Sequence, residues 1–191
     1  NSNHRVSIFR FPGIFGKWCK PNYNSVVATF CDSIANNKPI TIHDANKELE
    51  LVYIDDVIRQ LINEMHQDAS ESFFKDVQFV HKISLGELAK KLKYFANSRE
   101  SLFIDNVGNG IEKSLYSTFI SYLPNQKFVY DLKLNQDDRG VFVEFLKNHQ
   151  VGQLSYLTSK PGVTRGNHFH HTKIEKFLVI KGTASFRFIS L

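Results

Sequence analysis

Two histidines and a glutamate near the C-terminal end are the residues best suited to chemistry. His168 and His170 are separated by one residue, Glu175 follows them, and Gly162 and Gly182 flank all three. Because side chains alternate faces along an extended chain, the two imidazoles would point the same way. Two imidazoles and a carboxylate from the next strand form a ligand set that suits a borderline divalent cation. The spacing therefore predicts a divalent metal site, with zinc as the expected ion.

The alternative is that these histidines are solvated polar residues beside a turn, which a lone His-x-His pair would favour. Here both glycines and the glutamate are in register. The spacing G-x5-H-x-H-x4-E-x6-G resembles the first of the two motifs of cupin β-barrels at every fixed position. The resemblance implies a fourth ligand, a histidine of a second motif downstream. No such motif follows before Leu191, so we expect an incomplete barrel in this sequence.

The composition is that of an ordinary globular protein. Of 191 residues, 42% are hydrophobic and 23% are charged, and 17 phenylalanines supply material for a packed core. Two cysteines are too few for a disulfide scaffold and fit a reducing compartment, so we expect a cytoplasmic protein. No run of about 20 apolar residues is present, so no membrane span is predicted.

The net charge of +5 is compatible with an anionic partner. Lysines and arginines are scattered and no nucleic-acid motif is present. Nucleic acid therefore ranks behind plain solubility and an anionic small substrate as the meaning of this charge. The first residues, 1–5, contain neither a signal peptide nor an initiator methionine, which indicates a piece of a longer protein.

The first part of the chain alternates between short apolar runs and helical patterns. The run 6–11 ends in a Pro-Gly loop and predicts a central, buried parallel strand with an unfilled edge. Asp55 and Asp56 are expected to act as helix-dipole partners, with an acid/base dyad as the alternative. The other predicted elements are a helix over 26–35 capped by Asn24 or Ser25, strands over 39–43 and 49–53 joined by a turn, a helix after Asp56, an extended piece at 79–80, a helix from the capping box at Ser84 to about Arg99, and a helix over 111–120.

After Pro124 the pattern changes to short alternating strands separated by turn residues. They are predicted over 128–134, 141–145, 153–159, 176–180 and 184–189. The fold class expected from these patterns is α/β plus all-β. We place the boundary between two domains so that residues 1–123 form the first and residues 124–191 form the second.

Residues 10–16, 21–25 and 51–57 resemble the C-terminal portion of an extended short-chain dehydrogenase/reductase, whose NAD(P)-binding domain has a Rossmann-type fold. The first of these stretches matches the R-x-P-x-x-x-G segment that lies against the nicotinamide in that family. The resemblance implies cofactor contacts from Pro12, Gly13 and Ile14, and contacts on the substrate side from Asn22, Tyr23 and Asn24.

Residues 137–145 are similar to the opening of cupin-class sugar-nucleotide epimerases, which implies a substrate contact for Arg139. A run such as Asp-Asp-Arg-Gly is, on its own, more often a hairpin turn than a site. Together the reductase-like tail, this run and the cupin motif resemble bifunctional UDP-sugar reductase/epimerases of capsular polysaccharide synthesis (CapF/WbjC type). In that family the cupin domain epimerises a UDP-2-acetamido-2,6-dideoxy-4-hexulose beside its ketone. The reductase domain then reduces the ketone with NADPH, on the way to N-acetylfucosamine.

The resemblance also implies parts that this sequence lacks. We find neither the glycine-rich phosphate loop nor the catalytic Tyr-x-x-x-Lys pair of the reductase, so we expect this chain alone to lack reductase activity. No epimerase base is assigned among His171, Lys173 and Lys176. A homodimer formed through the cupin domain is expected. The alternative function is a non-catalytic metal-binding cupin module for dimerisation or sugar sensing.

Overall fold

The computed structural model describes residues 6–66, 73–104 and 106–187. Regular elements occupy these ranges as far as Leu157. In chain order they are β1 (Ile8–Phe9), β2 (Gly13–Phe15), α1 (Val26–Ala35), β3 (Glu48–Tyr53), α2 (Ile54–Met65), β4 (Phe74–Lys75), β5 (His81–Ser84), α3 (Leu85–Ser101), α4 (Gly110–Ile120), a 3-10 turn (Asn125–Lys127), β6 (Asn135–Asp137), β7 (Gly140–Asn148) and β8 (Gly152–Leu157).

The strands form three small sheets. In the first part, β3 pairs in parallel with β2 on one edge and antiparallel with β5 on the other, while β1 pairs in parallel with β4. In the second part, β6, β7 and β8 form an antiparallel meander. The mixed α/β character of the first part and the β character of the second are therefore both observed. The position of the domain boundary stays a prediction.

Helices α1 and α3 each begin after a serine whose side chain accepts a hydrogen bond from a free backbone N–H group of the first turn. The Ser25 hydroxyl accepts a hydrogen bond from the Ala28 N–H at 3.3 Å, so Ser25, of the two candidates, is the cap of α1. The Ser84 hydroxyl accepts one from the Glu87 N–H at 3.1 Å, as expected for a capping box. The predicted helices over 26–35, after Asp56, from Ser84 and over 111–120 are confirmed, with ends shifted by a residue or two.

The core lies between the β2–β3–β5 sheet and helices α1, α3 and α4. Each of these three helices places its apolar stripe on the sheet or on a neighbouring helix, as a 3.6-residue period requires. Large side chains that are almost fully buried there include Phe15, Val27, Cys31, Leu88, Leu92, Leu115 and Phe119. Burial also raises the pKa of the Cys31 thiol, so this cysteine behaves as a small apolar residue.

The N-terminal strand is shorter and more exposed than predicted. Parallel pairing is confirmed, but β1 covers two residues only, and Ile8 is 40% exposed. Within the described ranges β1 has one neighbour, β4, so the expected unfilled edge is present. Lys75 of β4 forms a partly buried ion pair with Glu64 of α2 at 3.1 Å, and Ser7 donates to the same carboxylate at 2.8 Å. Polar contacts therefore hold this pair of strands where apolar burial was expected.

Three other predicted elements of the first part are wrong. Residues 39–43 form no strand, and the edge of β3 that we assigned to them is taken by β5. The predicted loop after Pro12 contains strand β2, and the extended piece at 79–80 is a bend in which Phe79 has φ +59°. Ile40 and Ile42 still pack against the core. The alternation of Ile40 and Ile42 with polar residues reflects their burial against the core. In so short a run, this periodicity does not identify which strand, if any, the segment pairs with.

In the second part, two of the five predicted strands form. β7 and β8 contain the predicted 141–145 and most of 153–159, whereas 128–134, 176–180 and 184–187 have no regular structure. Residues 188 and 189 of the last predicted strand lie outside the described residues. Strands require a neighbour to complete their backbone hydrogen bonds, and among the described residues these three segments pair with none.

The segment after α3 connects the two parts through backbone hydrogen bonds. The Ile104 N–H donates to the Lys147 carbonyl at 2.9 Å, and the Lys147 N–H donates to the Leu102 carbonyl at 2.8 Å. Phe103 also stacks on His149, with ring centroids 4.2 Å apart. This short parallel bridge extends the β6–β7–β8 sheet with residues from the α/β part.

In the ranges that the structure describes, no helix combines the length and the apolar character required to cross a lipid bilayer.

Gly16 allows the chain after β2 to pass close to the start of α2. A Cβ at this position would lie 2.3 Å from Cγ2 of Ile54, which is closer than packed atoms approach. We expect Gly16→Ala to lower the free energy of unfolding by about 1–3 kcal/mol, because the two segments must move apart. Urea denaturation followed by circular dichroism measures this change.

Gly108→Ala is the matched control, since a Cβ there meets no atom within 4 Å. Its stability should stay within about 0.5 kcal/mol of the parent chain. Equal stability of the Gly16 and Gly108 variants would contradict the close packing of Gly16 on Ile54.

Candidate metal centre and substrate clefts

The structure brings His168, His170 and Glu175 together. One ligand atom from each of the three lies within 4.8 Å of the other two. The Nε2 atom of His170 is 3.6 Å from Oε1 of Glu175, and the two imidazole rings lie 4.9 Å apart with an interplanar angle of 68°. Two imidazole nitrogens and one carboxylate oxygen form a donor set that suits a divalent cation with borderline ligand preference.

The way in which the two histidines meet differs from the prediction. Residues 158–170 form no strand, so the alternation of an extended chain does not place the imidazoles on one face. Gly166 and Asn167, immediately before His168, have φ of +111° and +59°. This left-handed backbone turns the chain sharply. The two histidines are therefore positioned by a bend in the chain, and not by the strand that was predicted.

Arg165 fastens this bend to the β6–β7–β8 sheet. Its Nε donates to the Ser159 hydroxyl at 3.0 Å, and Nη2 donates to the Thr158 carbonyl at 3.2 Å. Nη2 also lies 3.8 Å from a carboxylate oxygen of Asp137. Arg165 was missed by the sequence reasoning, although its place three residues before His168 inside the motif was a usable signal.

Lys173 forms an ion pair with Glu175. Its ammonium nitrogen is 2.8 Å from Oε1 of Glu175. The hydrogen bond from Lys173, with smaller contributions from the charges of Lys173, His170 and His168, lowers the pKa of the Glu175 carboxyl. The glutamate is therefore ionised and able to bind a cation, but Lys173 also occupies the carboxylate oxygen that a metal ion would use.

Arg139 lies in the turn between β6 and β7. Its backbone N–H donates to Asp137 at 2.9 Å, and its guanidinium donates twice to the same carboxylate, at 2.9 and 2.5 Å. These hydrogen bonds lower the pKa of Asp137. Gly140 closes the turn, with φ +141° and a virtual Cβ 2.3 Å from the Thr158 carbonyl oxygen. The Asp-Asp-Arg-Gly run is therefore a hairpin turn, the alternative raised from the sequence.

The same turn borders an open cleft of about 540 Å³. Two guanidinium groups, from Arg139 and Arg165, lie on its wall. The lining residues are Leu134, Asn135, Gln136, Asp137, Arg139, Phe142 and Arg165. A substrate role for Arg139 is thus compatible with its position, although Asp137 already neutralises the side chain.

The residues predicted to contact a nicotinamide lie at or near strand β2. Gly13 and Ile14 belong to β2 and pair with Leu51 and Val52 of β3. Pro12 precedes them at the edge of a second open cleft, of about 480 Å³. That cleft is lined by Ile8, Arg10, Phe11, Pro12, Glu50, Phe74, Lys75, Asp76, Val77 and Val80.

The residues predicted to face the substrate precede helix α1. Asn22 has φ +54°, and its N–H donates to the Thr29 hydroxyl at 3.0 Å. Tyr23 and Asn24 are exposed, Tyr23 by 75%. These three residues, the β2 residues and the metal-ligand candidates thus lie on three separate elements of the chain.

A polar cluster beside β2 was also missed. Lys17 lies 3.5 Å from Asp55, and the pKa of Lys17 is raised by Tyr53 and then by Asp55. Burial, followed by the charge of Asp55, raises the pKa of the Tyr53 phenol. The Asp55–Asp56 pair was predicted to serve the helix dipole, and both aspartates do lie in the first turn of α2. Asp55 in addition anchors the loop that follows β2.

Contrary to expectation, the sequence contains one Tyr-x-x-x-Lys spacing, at Tyr156 and Lys160. Tyr156 is on strand β8, and Lys160 follows the end of that strand. Residues four apart are neighbours on a helix, but they are about 13 Å apart along an extended chain. This spacing therefore does not supply the helical pair of a reductase.

Comparisons with known proteins agree with the resemblance seen in the sequence. Residues 135–191 match the model of the polysaccharide biosynthesis C-terminal domain. The chain is 51% identical over 183 residues to a protein of Pseudomonas aeruginosa named UDP-2-acetamido-2,6-beta-L-arabino-hexul-4-ose reductase. The match covers 96% of this chain and 49% of that protein.

Solved structures of CapF proteins share the fold. The capsular polysaccharide assembling protein CapF of Staphylococcus aureus is 48% identical, with a TM-score of 0.79 over 87% of this chain and 46% of that one. A CapF structure with the inhibitor 3-isopropenyl-tropolone has a TM-score of 0.80 at 48% identity, over 87% of this chain and 49% of that one. The chain thus spans about half the length of the relatives it matches. The predicted resemblance is confirmed, and this chain belongs to the CapF type of capsular polysaccharide proteins.

Proposed function

We propose that this chain forms part of a UDP-sugar enzyme that epimerises a UDP-2-acetamido-2,6-dideoxy-4-hexulose and reduces its 4-ketone with NADPH. The observation that carries the proposal is the identity of 51% over 96% of the chain to a protein named as a reductase of such a hexulose. Identity at this level over nearly the whole chain extends across both the α/β part and the β part.

The α/β part supplies the walls of a nucleotide-sugar site in this proposal. Strand β2 and the cleft beside Pro12 are the place for the nicotinamide of NADPH, and the segment 22–24 faces the substrate. Arg10, whose guanidinium carbon lies 4.9 Å from the Phe74 ring centroid, brings a guanidinium to this cleft, while Lys75 is paired with Glu64 and the acidic Glu50 and Asp76 also line the cleft. A guanidinium can bind a phosphate-bearing ligand.

The β part supplies the metal ligands and the epimerisation site. His168, His170 and Glu175 would hold a divalent cation, with zinc as the expected ion. Such a cation stabilises negative charge on the oxygen of an enolate. The chain's own contribution is to hold the bend through Arg165, while Lys173, paired with Glu175, competes with the cation for the carboxylate oxygen. A cupin barrel, a homodimer through this part and a cytoplasmic location remain predictions.

The epimerisation step can be tested by proton exchange at C3 of the 4-keto sugar. A proton beside a ketone that the protein removes reversibly is replaced by deuterium in deuterated water. We expect this chain, loaded with zinc, to catalyse the exchange without oxidising NADPH, because it lacks the glycine-rich loop and the helical Tyr-x-x-x-Lys pair. Mass spectrometry of the recovered sugar measures the exchange.

His170→Ala should reduce the exchange rate by more than about tenfold, since it removes one ligand of the cation. His43→Ala, which removes an exposed histidine of the α/β part, is the control and should exchange at the parent rate. A chain that binds zinc but shows no exchange would support the non-catalytic cupin module.

Lys173 offers a separate test of the metal site. Removing its positive charge frees the Glu175 oxygen and removes repulsion against the incoming cation. We expect Lys173→Gln to bind zinc several-fold more tightly than the parent chain, as measured by competition with a chromogenic chelator. Lys181→Gln removes a charge of the same sign at a position not assigned to the site, and should leave the affinity unchanged. Weaker zinc binding in the Lys173 variant would count against the proposed ligand set.

A further inference from the structure

The loop between β2 and α1, residues 17–24, exposes two aromatic rings to solvent. Trp18 is 79% exposed and Tyr23 is 75% exposed. Tryptophan is highly buried on average in folded proteins, so a ring left this open requires an explanation. None of the roles assigned so far uses Trp18.

The backbone of this loop is held in place. The Trp18 N–H donates to the Ser121 hydroxyl at 3.3 Å, the Tyr122 hydroxyl donates to the Cys19 carbonyl, and the Asn22 N–H donates to Thr29. Trp18 itself has φ +60°, a backbone conformation that costs free energy for a bulky residue. The anchored backbone therefore keeps the ring outside the core.

Each exposed ring has an ammonium group beside it. The Lys17 nitrogen lies 5.9 Å from the Trp18 ring centroid, and the Lys20 nitrogen lies 5.6 Å from the Tyr23 ring centroid. Lys17 is also held by Asp55 at 3.5 Å, whereas Lys20 is exposed. Lys17 is thus fixed against Trp18, and Lys20 is free to approach an anion.

Rings and ammonium groups in one loop match the two halves of a nucleotide. A planar base stacks on an aromatic side chain, and a diphosphate is attracted to lysine. Helix α1 begins at Val26, directly after the loop, and the N-terminal end of a helix also favours negative charge. The ligand class with this combination of groups is a nucleoside diphosphate.

We propose that Trp18 stacks on the uracil ring of the UDP-sugar and that Lys20 neutralises its diphosphate. This inference rests on the proposed function and identifies the protein groups that bind the nucleotide half of the substrate. Lys17 is a positioning residue, because it fixes the Trp18 ring through its link to Asp55.

Trp18 is the single tryptophan of the chain, so its fluorescence reports directly on this site. The probes are UDP, uridine and inorganic pyrophosphate. We expect UDP and uridine to change the Trp18 emission, because a stacked base alters the surroundings of the indole. Pyrophosphate should leave the emission nearly unchanged but compete with UDP in calorimetry.

Substitutions separate the two contacts. Trp18→Ala should weaken UDP binding by about tenfold in calorimetry, and Trp18→Phe, which keeps a ring, should restore most of the affinity. Lys20→Ala should weaken UDP and pyrophosphate binding and leave uridine binding nearly unchanged. Tyr130→Ala removes an aromatic ring of 44% exposure elsewhere in the chain and is the matched control.

The inference is overturned if UDP does not bind, or if it binds equally to the parent and to Trp18→Ala without altering the emission. Pyrophosphate binding with no contribution from the base would also overturn it. The C3 exchange assay distinguishes the levels of failure. If the C3 proton exchanges but UDP does not change the Trp18 emission, only this nucleotide site is rejected. If UDP binds as expected but the C3 proton does not exchange, only the proposed epimerisation is rejected.

Discussion

The burial of strand β3 is the constraint on which the α/β part depends. Leu51, Val52 and Tyr53 are each less than 8% exposed, and they pair with β2 on one edge while Leu51 also pairs with β5 on the other. Leu51 is thus paired on both edges, which satisfies its backbone groups and allows its desolvation. β3 also passes into α2 without an intervening loop, at the junction of Tyr53 and Ile54. The placement of β2 and of the start of α2 follows from this one strand.

The position of the loop 17–24 also depends on strand β3. Asp55, two residues after β3, holds Lys17, and helix α4 and its end hold Trp18 and Cys19 through Ser121 and Tyr122. Helix α4 in turn packs its Leu115 and Phe119 into the core. The exposed polar and aromatic residues of this loop are therefore held in place by strand β3 and helix α4, whose own apolar side chains are buried. This is how a rigid scaffold positions residues for binding.

The β part is organised differently. Of its described residues from 135 onward, Val143 is the one apolar side chain less than 9% exposed. Polar contacts therefore carry much of the local order, above all those of Arg165 with Ser159 and Thr158 and those of Arg139 with Asp137. The backbone bridge between Ile104 and Lys147 attaches this sheet to the α/β part. The metal-ligand candidates accordingly lie on a bend that depends on hydrogen bonds and on left-handed backbone conformations.

The sequence by itself determined the helices and the set of residues that gather at the metal-ligand cluster. Caps such as Ser25 and Ser84 act within one turn of chain, and the 3.6-residue period of α3 is local as well, so both can be recognised without a partner. Tertiary structure decided the rest. It gave the edge of β3 to His81–Ser84 instead of 39–43, converted the predicted 168–170 strand into a bend, and left Trp18 outside the core. The physical reason is that strand pairing and burial are set by residues distant in sequence, whose competition for one edge or one surface cannot be judged from a local pattern.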